Sequence, residues 1–334
     1  MHKVSVVIPT LNRAELVAAT IDRIEKQTVS SDIYQVLVVD NGSTDNTAEV
    51  LIQKTATYPN LKVFTQRKKG AAATRNIGIR EADGELVLFI DDDIFAEANL
   101  IEAHLTYHRA NPRASIIGNV TAPWDKATEP FLRYLRDKGI LNPYSIACDA
   151  MDFSYYHTGN VSTPRKFLRD AGFFNEEFRV YGMEDIELGY RLEKAGCRMI
   201  AGPDAKALHQ YSPTYRQFLD RCEQAGYSLG TMIELHPELR SRFVENGKRT
   251  RILKRVHSLY RMFSFVSDPI FQALTRWEQQ RGTPPVSTVL EQHYYWAIRY
   301  HFFLGYRQFL QSSNQKQSAN AEFRVGRQRV PDLQ

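Results

Sequence analysis

The sequence predicts an α/β protein: a mostly parallel, doubly wound sheet flanked by helices, with a helical C-terminal extension. Three observations predict it. Over the first hundred residues, short β-branched runs alternate with stretches of helical spacing. Three of those runs stop on polar clusters, Pro9-Thr10-Leu11-Asn12, Asp40-Asn41-Gly42-Ser43 and Asp91-Asp92-Asp93. From Thr214 onward the pattern is almost entirely helical.

The elements follow in order. Val4–Ile8 is a β-branched run closed by Pro9, and Ala14–Gln27 places Leu16, Val17, Ile21 and Ile24 at helical spacing. Val36–Val39 is a second strand, ended by Asp40. Thr44–Gln53 reads as a helix capped by Ser43 or Thr44 after the tight turn Asn41-Gly42. Leu61–Phe64 is a third strand, Gly70–Ala82 a helix and Leu86–Ile90 a fourth strand. Further on, Ile116–Val120 and Phe153–His157 read as strands. Glu184–Ala195 reads as a helix with Gly196 at its C-terminal cap, followed by a polar turn, "AGPDAKALHQ". The helical remainder is broken at His236-Pro237 and at residues 282–285, and the last twenty or so residues are polar. In sheets of this kind ligands bind outside the carboxyl ends of the strands, so the three polar clusters should line one cleft.

Composition narrows the function without choosing it. The chain has 334 residues, 43% hydrophobic and 24% charged, with a formal net charge of +5. This mild positive excess suits an anionic substrate, an anionic membrane surface or nucleic acid alike. The basic run Lys248–Arg255 is interleaved with aliphatics rather than with stacking aromatics, which argues against nucleic acid. Three scattered cysteines without CxxC spacing indicate neither a disulfide framework nor a zinc site, and a reducing cytoplasm is the expected compartment. The N-terminus lacks a signal-peptide apolar region, and no apolar run reaches the ~20 residues a spanning helix needs.

Four stretches carry candidate chemistry. Three adjacent carboxylates, Asp91, Asp92 and Asp93, repel one another unless a cation neutralises them, as a divalent metal bridging a pyrophosphate would. A solvated acidic turn also fits the tripeptide; its position behind "LVLFI", fourth in a βα series, favours the metal. Asp40 at a strand end can accept hydrogen bonds from a ribose or base edge, although a plain turn explains its neighbours. A lone Arg is normally a surface residue, but Arg75, on a small-residue helix beside the cleft, can reach a base or phosphate. Glu184 and Asp185 open a helix, where capping and a general-base role are equally open; His209 is a core histidine or a metal ligand.

Together these residues resemble family 2 glycosyltransferases of the GT-A fold. The stretches concerned are "VSVVIPTLNR", "VLVVDNGSTDNT", "GAAATRNIGIREADGELVLFIDDD", "TGNVSTPRKFLRDAGFFNEEF" and "GMEDIELGYRLEKAG", from Val4 to about Tyr211. The resemblance implies an inverting transfer from a nucleoside-diphosphate sugar, commonly a UDP-sugar, dependent on Mn²⁺ or Mg²⁺. It implies that Pro9, Thr10, Asn12, Asp40 and Arg75 hold the nucleoside. It also implies that Asp91, with Asp92 beside it, meets the ribose or donor sugar, while Asp93, with Asp91 and His209, holds the metal. Asp185 would be the catalytic base, with Glu184 at the donor, and Gly159 and Asn160 would lie near the donor sugar and acceptor. Residues 1–212 would be the catalytic domain, split at 105/106 into nucleotide- and acceptor-binding halves. Residues 213–312 would be a helical region and 313–334 a tail. The QxxRW motif of processive members is absent, which points to single additions.

Two other readings are a sugar nucleotidyltransferase, disfavoured because "IPTLNRAEL" lacks a Gly-rich phosphate loop, and a non-catalytic sugar-nucleotide-binding protein, disfavoured by intact Asp93 and Asp185. The acceptor, expected to be a glycan or lipid-linked glycan, would lie near Trp124, Tyr155 and the loop around Pro143, residues that equally suit a core. The amphipathic stretch 248–266 and the aromatic stretch 293–310 either pack, on each other, the catalytic domain or a second subunit, or rest on an anionic membrane at its cytoplasmic face.

Overall fold

The computed structural model describes residues 3–66, 70–122, 129–140, 151–244, 271, 273–280 and 286–327, with side chains to 315. Trp124, Pro143 and the stretch 248–266 lie outside the described residues. The chain divides into two compact units. One comprises Met1–Arg179, Glu184–Thr214 and Ala273–Thr288; the other comprises Val180–Met183, Tyr215–Gln272 and Val289–Gln334.

In the first unit the expected alternation forms. It runs β1 (Val4–Thr10), α1 (Ala14–Ile24), β2 (Tyr34–Asp40), α2 (Thr47–Thr57), β3 (Leu61–Thr65), α3 (Ala71–Glu81) and β4 (Leu86–Ile90). Then follow β5 (Ile94–Ala96), α4 (Leu100–Ala110), β6 (Ala114–Thr121), α5 (Pro130–Asp137), β7 (Asn160–Pro164), α6 (Arg165–Asp170), α7 (Glu184–Lys194) and β8 (Arg198–His209). The eight strands make one sheet in the order β3-β2-β1-β4-β7-β6-β8-β5. Strands β1 to β4, β6 and β8 run one way; β7 is antiparallel to both its neighbours, and β5 is antiparallel to β8.

Each central strand is buried on both faces, which is why it reads as an unbroken apolar run. Val4, Val6 and Ile8 of β1 pack with Val17, Ile21 and Ile24 of α1, while Val7 faces the opposite core with Ile79 of α3 and Leu188 of α7. Helix α3 lies very close to the sheet: a Cβ added at Gly78 would stand 2.4 Å from a methyl of Val7. Helix α7 ends as its glycine indicates. Gly196, at φ +81°, donates to Glu193 O, and Cys197 donates to Leu192 O, a Schellman closure.

Three local expectations are corrected. Residues 153–157 do not form a strand. Asp152 Oδ1 accepts from Ser154 N (2.9 Å) and Oγ (2.5 Å), winding Phe153–Tyr155 into a 3₁₀ turn, and the strand begins at Asn160. Neither Ser43 nor Thr44 caps α2: Thr44 N donates to Asn12 Oδ1 (2.7 Å), and Asp45 Oδ1 takes the Thr47 N–H (3.0 Å). The stretch 201–210 is not a turn. Its residues 201–209 belong to β8, whose pairing with β6 slips from Gly118↔Gly202 to Asn119↔Lys206.

The second unit is helical and includes α8 (Tyr215–Leu235), a 3₁₀ turn at Pro237–Leu239, α9 (Arg240–Phe243) and, from Val289 on, α10 (Thr288–Arg327). The aromatic stretch 293–310 lies in α10 and packs against α8, with Tyr227 and Phe309 edge to face at 5.3 Å and Tyr215 Oη 2.9 Å from His293 Nε2. Glycines bring the two backbones together. A Cβ on Gly305 would fall 1.7 Å from Glu223 O, and one on Gly226 would fall 1.8 Å from Phe302 O. Among the described residues no helix is long and apolar enough to cross a membrane. Replacing Gly305 by Ala should therefore force the helices apart and cost about 1–3 kcal/mol in urea unfolding; an unchanged midpoint would refute the close approach.

Candidate active site

Topology delivers the candidate residues to one edge of the sheet. Thr10, Asp40 and Thr65 end β1, β2 and β3 in register. Asp91 to Asp93 follow β4. Because β7 runs backwards, its first residue pairs with the last of β4 (Asn160↔Ile90), and a Cβ on Gly159 would lie 3.8 Å from Asp91 Oδ2. Because β5 runs against β8, Ile94 pairs with His209 and brings that histidine to Asp93.

The three aspartates have different partners. Asp91 Oδ1 accepts from Arg75 Nη2 at 2.7 Å, and Nη1 of the same guanidinium lies 3.4 Å from Glu184 Oε1. Arg75 is buried on α3, 5.9 Å above the ring of Phe174. Asp92 is turned inward: Oδ2 accepts from Thr10 Oγ1 and Oδ1 from Arg13 Nη1, both at 2.8 Å. Burial pushes its carboxyl up to about 6, against the pull of Arg13 and Thr10. Asp93 Oδ2 accepts from the same Arg13 Nη1 (2.8 Å), and its Oδ1 lies 3.4 Å from His209 Nε2. Burial opposes its charge, yet His209 and Arg13 outweigh it and hold the carboxyl down to about 2.

Glu184 and Asp185, adjacent at the start of α7, are driven apart. Burial, and then the charge of Asp185, raises the Glu184 carboxyl; its Oε2 is buried with no hydrogen-bond partner. Asp185 is lowered despite burial, because His157, whose Nδ1 is 3.4 Å from Asp185 Oδ2, and Arg75 favour its charge. One carboxyl is thereby biased towards the acid and its neighbour towards the base.

A second polar group lies along β1 and β2. Asp40 Oδ1 accepts from Ser43 N (3.0 Å) and Oγ (2.6 Å). Asn12, at φ +53°, ties its loop to the next through Ser43 Oγ and Thr44 N. Pro9, half-buried in β1, pairs with Val39. Asn160 pairs with Ile90 beside Asp91, and its side chain turns into the sheet, with Oδ1 2.9 Å from His104 Nε2 and Nδ2 donating to Ala205 O (2.9 Å). Arg13 and His157 were missed. Both lie outside the periodic apolar pattern, and only their proximity to a carboxylate distant in sequence marks them.

Asp93 and His209 supply an oxygen and an imidazole nitrogen, donors that Mn²⁺ accepts and, for the carboxylate, that Mg²⁺ prefers. Among the described residues no three His, Cys, Asp or Glu side chains are grouped to hold a metal ion by themselves, so Asp91, expected beside Asp93 and His209, is not gathered with them and instead binds Arg75. Such a cation would therefore complete its shell with ligand oxygens or water. A separate cleft of about 750 Å³, bounded by Arg23, Phe95, Glu97, Thr121 and Leu208, runs along the β5–β8 edge. It adjoins the aspartates through Gln210, whose N–H donates to Asp93 O at 2.8 Å.

Arg75 is the shared cation of two carboxylates, one of them buried. Its replacement by Ala should lower stability by about 3 kcal/mol in urea unfolding, through the charge it strands. Arg75→Lys should recover less than half, because a point charge cannot span both partners. Wild-type stability of Arg75→Ala would show that the pair carries no structural role.

The sequence model described as "Glycosyl transferase family 2" matches residues 5–175. Chondroitin synthase of Escherichia coli is 28% identical over 249 residues, covering 65% of this chain and 36% of that protein, so this chain spans about a third of that relative's length. Among solved structures, the mannosyltransferase PcManGT from Pyrobaculum calidifontis, in complex with GDP-Man and Mn²⁺, superposes with a TM-score of 0.56 at 19% identity, covering 88% of this chain and 85% of that one. TarS 1-349 of S. aureus in complex with UDP gives 0.54 at 17% identity, covering 94% and 92%. These structures share the GT-A fold, and the family match spans half of the chain. The chain belongs to glycosyl transferase family 2.

Proposed function

We propose that the chain transfers a sugar, one residue per encounter, from a nucleoside-diphosphate donor to a hydroxyl of a glycan or lipid-linked glycan, with inversion. UDP-sugars are the favoured donors; the bound UDP of TarS and GDP-Man of PcManGT support the donor class. The observation that carries the proposal is the sorting of two adjacent carboxyls, Glu184 raised and Asp185 lowered, beside Asp91 and Arg75.

Asp185 takes the proton of the acceptor hydroxyl as its oxygen attacks the anomeric carbon. Attack comes from the face opposite the diphosphate, the bond to the diphosphate oxygen breaks, and the configuration inverts. Glu184, whose carboxyl burial and Asp185 raise, has an unpartnered oxygen with which to hydrogen-bond the donor. Asp40, Asn12, Thr10 and Pro9 bound the nucleoside, and Asp91 with Arg75 orients the ribose or donor sugar. Asp93 and His209 would hold Mn²⁺ or Mg²⁺, which when bound offsets the charge of the leaving diphosphate.

A screen of nucleotide sugars for metal-dependent release of nucleoside diphosphate, repeated with candidate acceptors, tests the proposal directly. Asp185→Asn should keep donor affinity and lose ~10²–10⁴-fold in transfer, and the wild-type product should carry the inverted anomer by NMR. A retained anomer would remove the single displacement.

The pH profile supplies an independent check. Asp185 must be ionised to accept a proton, so activity falls as pH drops through its lowered pKa. The groups facing it are His157 and Arg75, with Glu184 beside it. Burial disfavours the charged imidazole of His157, but the hydrogen bond and charge of Asp185 outweigh it and raise its pKa, so His157 steadies the carboxylate as pH falls; a neutral Gln cannot. His157→Gln should move the acid limb of kcat/KM to higher pH by about one unit. An unmoved limb would remove His157 from the site.

A further inference from the structure

The proposed metal site already contains a cation. Arg13 Nη1 donates to Asp92 Oδ1 and to Asp93 Oδ2, each at 2.8 Å. Thr10 takes Asp92 Oδ2, and His209 faces Asp93 Oδ1. Each oxygen of these two buried carboxylates therefore has a partner, and the guanidinium is shared between the two. A divalent ion taking Asp93 Oδ2 would have to displace Nη1.

Arg13 is built to move. Its backbone is fixed at the N-cap of α1, where its carbonyl accepts from Val17 N at 2.9 Å. Its side chain is one-third exposed, whereas the carboxylates it binds are 8% exposed. The guanidinium can swing towards solvent or towards an arriving anion while the helix start stays in place.

We propose that Arg13 is an exchangeable counter-ion: it neutralises Asp93 in the donor-free chain and gives up Asp93 Oδ2 when a divalent cation and a diphosphate arrive together. This rests on the reading of Asp93 and His209 as metal ligands. A metal ion alone must break the Arg13–Asp93 contact and sit near an unpaired guanidinium. The diphosphate supplies the negative charge that gives Arg13 a new partner. Metal and diphosphate therefore bind with positive coupling, and the coupling is reciprocal. The role is one of positioning and charge exchange; Arg13 need not touch the reacting atoms.

Mn²⁺ binding to the full chain, followed by the EPR signal of free Mn²⁺ with and without UDP, tests this. Wild type should bind Mn²⁺ weakly alone and at least ~10-fold more tightly with UDP. Arg13→Gln should bind Mn²⁺ alone ~10-fold more tightly than wild type, and the effect of UDP should shrink to match. Arg13→Gln combined with Asp92→Asn removes one charge of each sign. If it too binds Mn²⁺ more tightly alone, the gain comes from freeing Asp93 rather than from deleting a nearby positive charge. The double variant leaves one carboxylate, Asp93, without Arg13 rather than two, so it serves if the single variant fails to fold. In wild type, the Arg13 guanidinium NMR signal should shift when Mg²⁺ and UDP are added together and hardly at all with Mg²⁺ alone. A folded Arg13→Gln chain with wild-type Mn²⁺ affinity and undiminished UDP coupling overturns the role of Arg13 alone. An unmoved guanidinium signal at saturating Mg²⁺ and UDP does the same. Absence of Mn²⁺ binding in every protein, with or without UDP, overturns the metal reading of Asp93 and this inference with it.

Discussion

Three consecutive carboxylates at the end of a buried strand set the constraint that the rest of the site answers. At an effective dielectric near 20, two charges 4 Å apart repel by about 4 kcal/mol, as much as one well-placed cation returns. One counter-ion is therefore insufficient, and the fold brings several from different elements: Arg75 from α3 to Asp91, Arg13 from the start of α1 to Asp92 and Asp93, and His209 from the end of β8 to Asp93. Helix α3 can bury a guanidinium there because Gly78 and the small residues before it let the helix lie almost on β1. The sequence "GAAATRNIG" thus encodes a separation between helix and sheet, and that separation determines what Arg75 can reach.

The same arithmetic separates Glu184 from Asp185. Neighbours in sequence, they share burial, and what distinguishes them is which cations they meet. Arg75 lies 3.4 Å from Glu184 but is committed at 2.7 Å to Asp91, whereas His157 faces Asp185. A carboxyl that has only part of one guanidinium is biased towards its proton. A carboxylate with an imidazole at hand is biased away from it. Acid and base character here follows from competition among a few charges for position.

Much of this was legible in the sequence because it is local. Strand runs, helical spacing, the cap at Gly196 and the polar strand ends are written within a few residues of one another, and the doubly wound core follows from them. What was not legible depends on pairing across the chain. Asp152 turns Phe153–Tyr155 away from the strand that their aromatic composition suggests. Asn160, placed by resemblance beside the donor, turns its side chain to His104 and Ala205 O across the sheet. Arg13 and His157 gain their meaning from Asp92, Asp93 and Asp185, all distant in sequence. A lone Arg after a strand or a lone His in a loop before one carries no such signal by itself.

Strand direction and one irregularity complete the site. A parallel β7 would carry Gly159 to the far edge of the sheet; its reversal keeps that residue beside Asp91. In β8, the slip from Gly118↔Gly202 to Asn119↔Lys206 inserts three residues on one side of the ladder. Because side chains alternate with a period of two, an odd insertion exchanges the faces of everything beyond it. Met199 lies in one core while Ala205 and Ala207, an even number of residues later, lie in the other, as the slip requires. His209 continues the phase of Ala207. Without the slip, the strand would carry the imidazole to the opposite face, and Asp93 would lose the partner that, with Arg13, keeps it charged.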